Sequence, residues 1–191
     1  MNMKTDLDKQ YQSIKPELMK ALGMKSIMAV PGIKKVTLNV GLGQDASKED
    51  VERAVSDIEK ISGQKPIVTY VKRSEAGFKI RQGWPIGVKV TLRRDNMYRF
   101  LEHLLLICLP ALREFNGLTK KSIDRQGNIS FGLSDYSVFR SIPFEQIKRR
   151  TGMDVCITTS ASDSASGFEL LKRMGFPFKE NMSGGDNGNE E

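Results

Sequence analysis

The chain has 191 residues, of which 39% are apolar and 28% charged, a composition that suits a water-soluble globular protein with one well-buried core. No apolar run approaches the roughly 20 residues that cross a bilayer, and the mixed charge of Met1 to Asp8 is unlike a signal peptide, so a cytoplasmic chain with no membrane partner is expected. Thirty basic residues against 23 acidic ones give a net charge of +7 and a pI near 9.4, which points to an acidic partner.

Residues 5–22 place Leu7, Tyr11, Ile14, Leu18 and Leu22 at helical spacing, with Pro16 as a candidate bend or break and Gly23 as the stop. After Pro31-Gly32, Val36, Leu38, Val40 and Leu42 alternate with Lys35, Thr37, Asn39 and Gly41. That is a strand with one buried and one wet face. Ser47 caps a following helix whose Glu49 and Asp50 suit its positive end, and Gly63 closes it. Residues 65–71 read as a strand and 72–85 as a long, mobile loop. A further strand follows, Ile86, Val88, Val90 and Leu92 alternating with Gly87, Lys89, Thr91 and Arg93. Asp95 is the expected cap of a helix running to about Leu109, in which the apolar run Leu104 to Leu109 should be buried. A polar loop at 116–128, strands at 129–133 and 153–160 and a helix at 163–174 complete the folded part. The expectation is an α+β fold: a mixed, mainly antiparallel sheet with helices packed on one face and a long basic loop. Residues 1–179 form a single domain on this reading, and the acidic tail 180–191 is expected to be disordered.

Few motifs suggest catalysis. Gly41-x-Gly43-x-x-Ala46 follows a strand and precedes a helix, as a dinucleotide-binding turn would. Asp45, Glu49 and Asp50 would repel a pyrophosphate there, and Lys72 and Arg73 stand where a ribose-binding acid belongs. A small nicotinamide-dependent oxidoreductase is therefore the rival of another class, to be tested by titration with reduced cofactor. His103 lies within an apolar helix with no nucleophile motif beside it. Cys108 and Cys156, far apart in apolar surroundings, read as buried free thiols of a reducing compartment. With one histidine, no metal site is expected. No cofactor or catalytic residue is assigned.

The charge is concentrated. Lys65, Lys72, Arg73, Lys79, Arg81, Lys89, Arg93 and Arg94 stand between residues 65 and 94 against the single acid Glu75, so this segment equals the excess of the whole chain. One-sign concentration is the footprint of phosphate binding. Phe78 and Trp84, interleaved with Lys79, Arg81 and Gln82, could stack on bases or riboses. They could instead lie in the core with Ile80. The basic strand face of Lys89, Thr91 and Arg93 suits a folded RNA, while neither strand carries the paired aromatics of an RRM. A general RNA chaperone is a third reading.

The stretch GQKPIVTYVKRSEAGFKIRQGWPIGVKVTLRRDNMYRFLE resembles the central block of the bacterial-type large-subunit ribosomal protein L5 family, which binds 5S rRNA. MAVPGIKKVTLNVGLG, LPALREFNGL, DRQGN, DVCITTSA and GFPF resemble its other blocks in the same order, so the likeness spans about residues 7–179. The resemblance implies a noncatalytic constituent of the large subunit. Such a protein attaches 5S rRNA to 23S rRNA in the central protuberance, touches P-site tRNA, and bridges to a protein of the small-subunit head. It further implies rRNA contacts by Lys35, Asn39, Gln64, Lys65, Thr69, Lys89, Thr91 and Arg93. A tRNA-facing loop would include Lys72, Arg73, Ser74, Gly77, Phe78, Lys79, Arg81 and Gln82, and polar segments near 110–145 would form the bridge. The chain departs from the family at Asn116, Arg125-Gln126, Glu75 and the stretch SDYSVFRSIPFE, and its acidic tail extends past the usual end.

Overall fold

Val36, Leu38 and Val40 are fully buried on one side of β1 (Ile33–Gly41), while Lys35, Thr37 and Asn39 lie on the other. The same two-residue period buries Val88, Val90 and Leu92 of β3 (Pro85–Leu92). With β2 (Ile67–Tyr70), β4 (Ile129–Leu133) and β5 (Met153–Thr159), these strands form one sheet in the order β2-β3-β1-β5-β4. Every neighbouring pair is antiparallel. The structure is a computed structural model and describes residues 6–43, 46–112, 115–139, 141–142 and 151–179. The expected tail, 180–191, lies outside the described residues.

The apolar sheet face is covered by helices. α2 (Lys48–Ser62) packs on β3 and β2, α3 (Arg94–His103) on β1, and α1 (Asp6–Ala21) on α3 and on α4 (Ser164–Arg173). Their buried residues join the strands in one core, including Leu18, Ile58, Leu101 and Leu170. Burying each such side chain contributes about 1.5–3 kcal/mol. The α2 caps follow the sequence reading: Ser47 and Asp50 form a reciprocal capping box, and Gly63 takes φ +65° at the C-terminus. Pro16 is accommodated within α1, which runs on as one helix.

Four local expectations are corrected. Asp95 sits in the first turn of α3 and does not cap it; Arg93 holds the cap position without a side-chain bond, and Arg94 takes φ +50°. The apolar run after α3 continues as a π-helical turn, Leu104–Cys108, before a last α-helical turn, Leu109–Ala111. The wider turn buries Leu104, Cys108 and Leu109 but leaves Leu106 70% exposed and Ile107 at the surface. Cys108 is buried as expected. Cys156 is only half-buried, because it falls on the polar face of β5. Finally, residues 72–84 are not an open loop but extend the β2–β3 hairpin through backbone bonds.

The DRQGN block has a structural role. Asp124 accepts from the backbone N–H of Gln126 (2.9 Å) and Asn128 (2.8 Å), and Asn128 Oδ1 accepts from Thr159 N–H at 3.0 Å. The turn thus ties the start of β4 to the end of β5. A Cβ on Gly167 of α4 would overlap the backbone of Gly127, so both glycines permit the close approach of helix and turn.

Candidate nucleic-acid interface

Directly opposed residues of antiparallel strands share a face, so the register identifies what lies on the uncovered side of the sheet. One row runs Ile67, Lys89, Asn39, Asp154, Gly132, and the next Thr91, Thr37, Cys156, Ser130. Thr69, Gly87 and Gly41 form a third row toward the hairpin, and Lys35 pairs with Thr158 toward the other end. Arg93, one residue past β3 and exposed, continues the alternation beside Lys35. The basic side chains therefore lie on β3 and β1, while β5 and β4 contribute small neutral groups and Asp154.

The α2–β2 turn adds to this half. Gly63 reverses the chain, and Ser62 Oγ both donates to Gln64 C=O (2.9 Å) and accepts from Gln64 N–H (3.3 Å). Gln64 Nε2 then reaches Thr91 C=O at 3.4 Å. A shallow pocket of about 290 Å³ results, lined by Gln64, Lys65, Ile67, Thr69, Lys89 and Thr91 with Val90. Five of the eight residues expected to meet rRNA line this one depression; Lys35, Asn39 and Arg93 flank it on the same face. Among the described residues, none of the cations Lys35, Lys65, Lys89 and Arg93 is in an ion pair. Their charges are free to meet phosphates. Gly87 allows the strands to close up here, since a Cβ on it would lie 2.5 Å from Val40 O and 3.1 Å from Thr69 Oγ1.

The hairpin is a second, separate surface. Val71 and Gly83–Trp84 exchange backbone bonds of 2.9 Å, Ser74 Oγ accepts from Gln82 N–H at 2.9 Å, and Glu75 and Ile80 bond reciprocally at 3.1 and 3.2 Å. Ala76 to Lys79 close the tip, with Lys79 at φ +52°. Lys72, Arg73, Ser74, Gly77, Lys79, Arg81 and Gln82 are all exposed. Phe78 is 71% and Trp84 44% exposed, so the core alternative fails for both rings, and only Ile80 is half-buried. Paired backbone presents one aromatic and several cations beyond the end of the sheet at little cost in ordering on contact.

Sequence reasoning missed Ile67, 74% exposed and directly opposite Lys89. Parity along β2 from Thr69 was the available signal. Within the loop 116–128, expected to be polar, Leu118 and Ile123 are core residues, as are Ile129 and Leu133 of the expected strand and Tyr136 and Phe139 beyond it. Of the stretch 110–145, residues 113–114, 140 and 143–145 lie outside the described residues. Its remaining surface borders a pocket of about 620 Å³ between Phe115, Leu118, Phe131 and Lys179.

The dinucleotide turn loses its context. Gly41 pairs with Gly87 and Leu42 N–H bonds Ile86 C=O, so β3 lies between β1 and β2. A dinucleotide fold requires parallel strands there. Asp45, expected to repel the phosphates, lies outside the described residues. His103 is stacked on Phe139 at 5.7 Å between centroids, with Nδ1 3.6 Å from Cys108 Sγ, and burial pushes that thiol up to about 11.

Comparison with known families agrees with this geometry. Residues 26–81 match the family described as ribosomal protein L5, and residues 85–178 match the family described as the C-terminus of the same ribosomal protein. The chain belongs to the ribosomal protein L5 family. It is thus a structural constituent of the cytoplasmic ribosome. The first match covers β1, α2, β2 and most of the hairpin; the second covers β3 through α4. The open face is built by both, since β3 stands between β2 and β1.

Proposed function

We propose that the chain anchors 5S rRNA to 23S rRNA in the central protuberance of the large subunit, working by phosphate neutralisation and shape recognition without catalysis. The observation that carries the reading is the open sheet face. Lys35, Lys65, Lys89 and Arg93 lie on it or at its margin with no ion pair among the described residues, in or beside the depression lined by Gln64, Thr69 and Thr91. Cations set the affinity, and the threonine hydroxyls and amide groups among them suit riboses and base edges. One continuous core supports treating residues 1–179 as one RNA-binding unit.

The hairpin reaches P-site tRNA in this reading, Phe78 offering a ring and Lys72, Arg73, Lys79 and Arg81 meeting the backbone. The surface near 110–145 bridges to a protein of the small-subunit head.

Mobility-shift titration with 5S rRNA, against a tRNA-sized control hairpin and across a salt series, tests the first step. Tight, selective binding that falls with salt is the expected result. Equal, weak binding of both RNAs would reduce the face to nonspecific electrostatics, as in a general RNA chaperone, and overturn the proposal.

A further inference from the structure

An isoleucine stands exposed where its surroundings are cationic. β2 is an edge strand, and its register places Ile67 on the open face directly opposite Lys89. The side chain is 74% exposed, so the fold gains little from it. Single apolar residues on a surface are ordinary. Ile67, however, is one wall of the 290 Å³ depression, and the side chains that share the lining with it are polar: Gln64, Lys65, Thr69, Lys89 and Thr91.

Those polar groups are positioned and largely unused. Ser62 holds the backbone of Gln64, whose Nε2 donates to Thr91 C=O at 3.4 Å and leaves its Oε1 to accept. Among the described residues, the hydroxyls of Thr69 and Thr91 and the ammonium groups of Lys65 and Lys89 make no side-chain hydrogen bond. Beyond Thr69 the floor is bare. Gly87 and Gly41 complete that row without side chains, and a Cβ on Gly41 would meet nothing within 4 Å. The volume equals about ten water molecules at ~30 Å³ each, and a nucleobase has about as many heavy atoms. A base also has what this lining complements, an apolar face and an edge of donors and acceptors. In a continuous A-form duplex each base face is covered by its neighbours, so only an unpaired nucleotide of a loop or bulge presents one.

We propose that the depression is a subsite for one unpaired nucleotide of the bound RNA. The face of its base covers Ile67, its edge meets Gln64, Thr69 and Thr91, and its flanking phosphates meet Lys65 and Lys89. This rests on the RNA-binding reading of the face and adds to it a contact that depends on RNA structure rather than on charge. Cations attract every RNA alike. A duplex laid over the same lysines leaves Ile67 wet and gives Thr69 and Thr91 no base edge, so the subsite favours an RNA with an extruded base at this point.

The test uses the full chain with Ile67→Thr and Ile67→Tyr, which keep a strand-forming side chain at this exposed position and leave the charge unaltered. Affinity for 5S rRNA is measured across a salt series, and the RNA is mapped at saturating protein with reagents that modify unpaired bases. Ile67→Thr is expected to bind about 3- to 10-fold more weakly, with the salt slope of the parent, since no phosphate contact is lost. Ile67→Tyr offers a ring and should bind at least as tightly as the parent. The parent should protect an unpaired base that Ile67→Thr leaves reactive, the rest of the footprint being common to both. Parental affinity of Ile67→Thr, or identical footprints for the two, overturns the subsite. So does weakening with a shallower slope, which would mean displaced cations rather than an uncovered base. If the parent itself does not prefer 5S rRNA to a control hairpin, the underlying RNA-binding reading fails instead.

Discussion

Replacing Lys89 with glutamine removes one charge from the centre of the open face while keeping an aliphatic stem and a polar tip. Lys89 is exposed, pairs directly with Asn39 and Ile67, and borders the 290 Å³ depression. It has no ion-pair partner among the described residues, so little stability should be lost. If its ammonium meets one phosphate, the slope of log K against log salt becomes shallower by about 0.7–0.9. Four such cations on the face, each with one phosphate, correspond to a parent slope near −3 to −3.6 by the same rule. The advantage of the parent over the variant should then shrink by about 2- to 3-fold between 100 and 300 mM salt. Filter binding to 5S rRNA reads both quantities. Lys172→Gln, an exposed cation of α4 on the helical side, is the control and should leave the slope unchanged. An unchanged slope for Lys89→Gln in a folded variant would refute the placement of phosphates over β3. Equal slope losses for both variants would show that only total charge matters.

Other consequences follow from the same geometry. Cys156 should react with a maleimide near pH 8 and be protected by bound 5S rRNA, whereas Cys108, fully buried with its thiol pushed up to about 11, should label only on unfolding; labelling of Cys156 indifferent to RNA would count against the face. Gly87→Ala should cost about 1–3 kcal/mol in chemical denaturation, because the added methyl meets the carbonyl oxygen of Val40, which can yield only by moving β1 from β3. Burial, then the Asp57 carboxylate 3.3 Å from its hydroxyl, pushes Tyr136 up to about 12 from its ordinary value of 10.0. The folded state therefore holds this proton more tightly than the unfolded state, and stability present below pH 10 should be lost as pH rises toward 12. Tyr136→Phe should flatten that part of the alkaline denaturation profile, and an unaltered profile would exclude the group.

The strands and helices were legible in the sequence because each carries a clean period and its own punctuation. Ser47 and Gly63 mark the limits of α2 by hydrogen-bonding chemistry that depends only on neighbours a few residues away. Asp95 misled for the same local reason. It has the chemistry of a cap, but the chain leaves β3 through Arg93 and Arg94 in a geometry set by the sheet, and the helix begins two residues too early for Asp95 to cap it. The π-helical turn at Leu104–Cys108 was equally invisible. A run of apolar residues states that burial is available, not which of them the wider turn will rotate outward, and Leu106 went to solvent.

The site shows where local reading ends. Alternation assigned Lys89 and Asn39 to wet faces of two strands, yet only pairing could put them opposite each other, and that pairing spans 50 positions of chain. The glycine turn at 41–43 had the right letters for a nucleotide and the wrong topology, because β3 inserts between β1 and β2 and turns every neighbour antiparallel. The same insertion makes the proposed interface. By placing the basic face of β3 between Thr69 of β2 and Asn39 of β1, it gathers cations from three separate stretches onto one surface, with the hairpin springing from its end. A charge count along the chain finds the segment 65–94. The sheet order explains why that segment cannot act alone: without Lys35 and Asn39 from β1, the depression beside Lys89 would be a groove at a bare edge rather than part of a platform wide enough for a folded RNA.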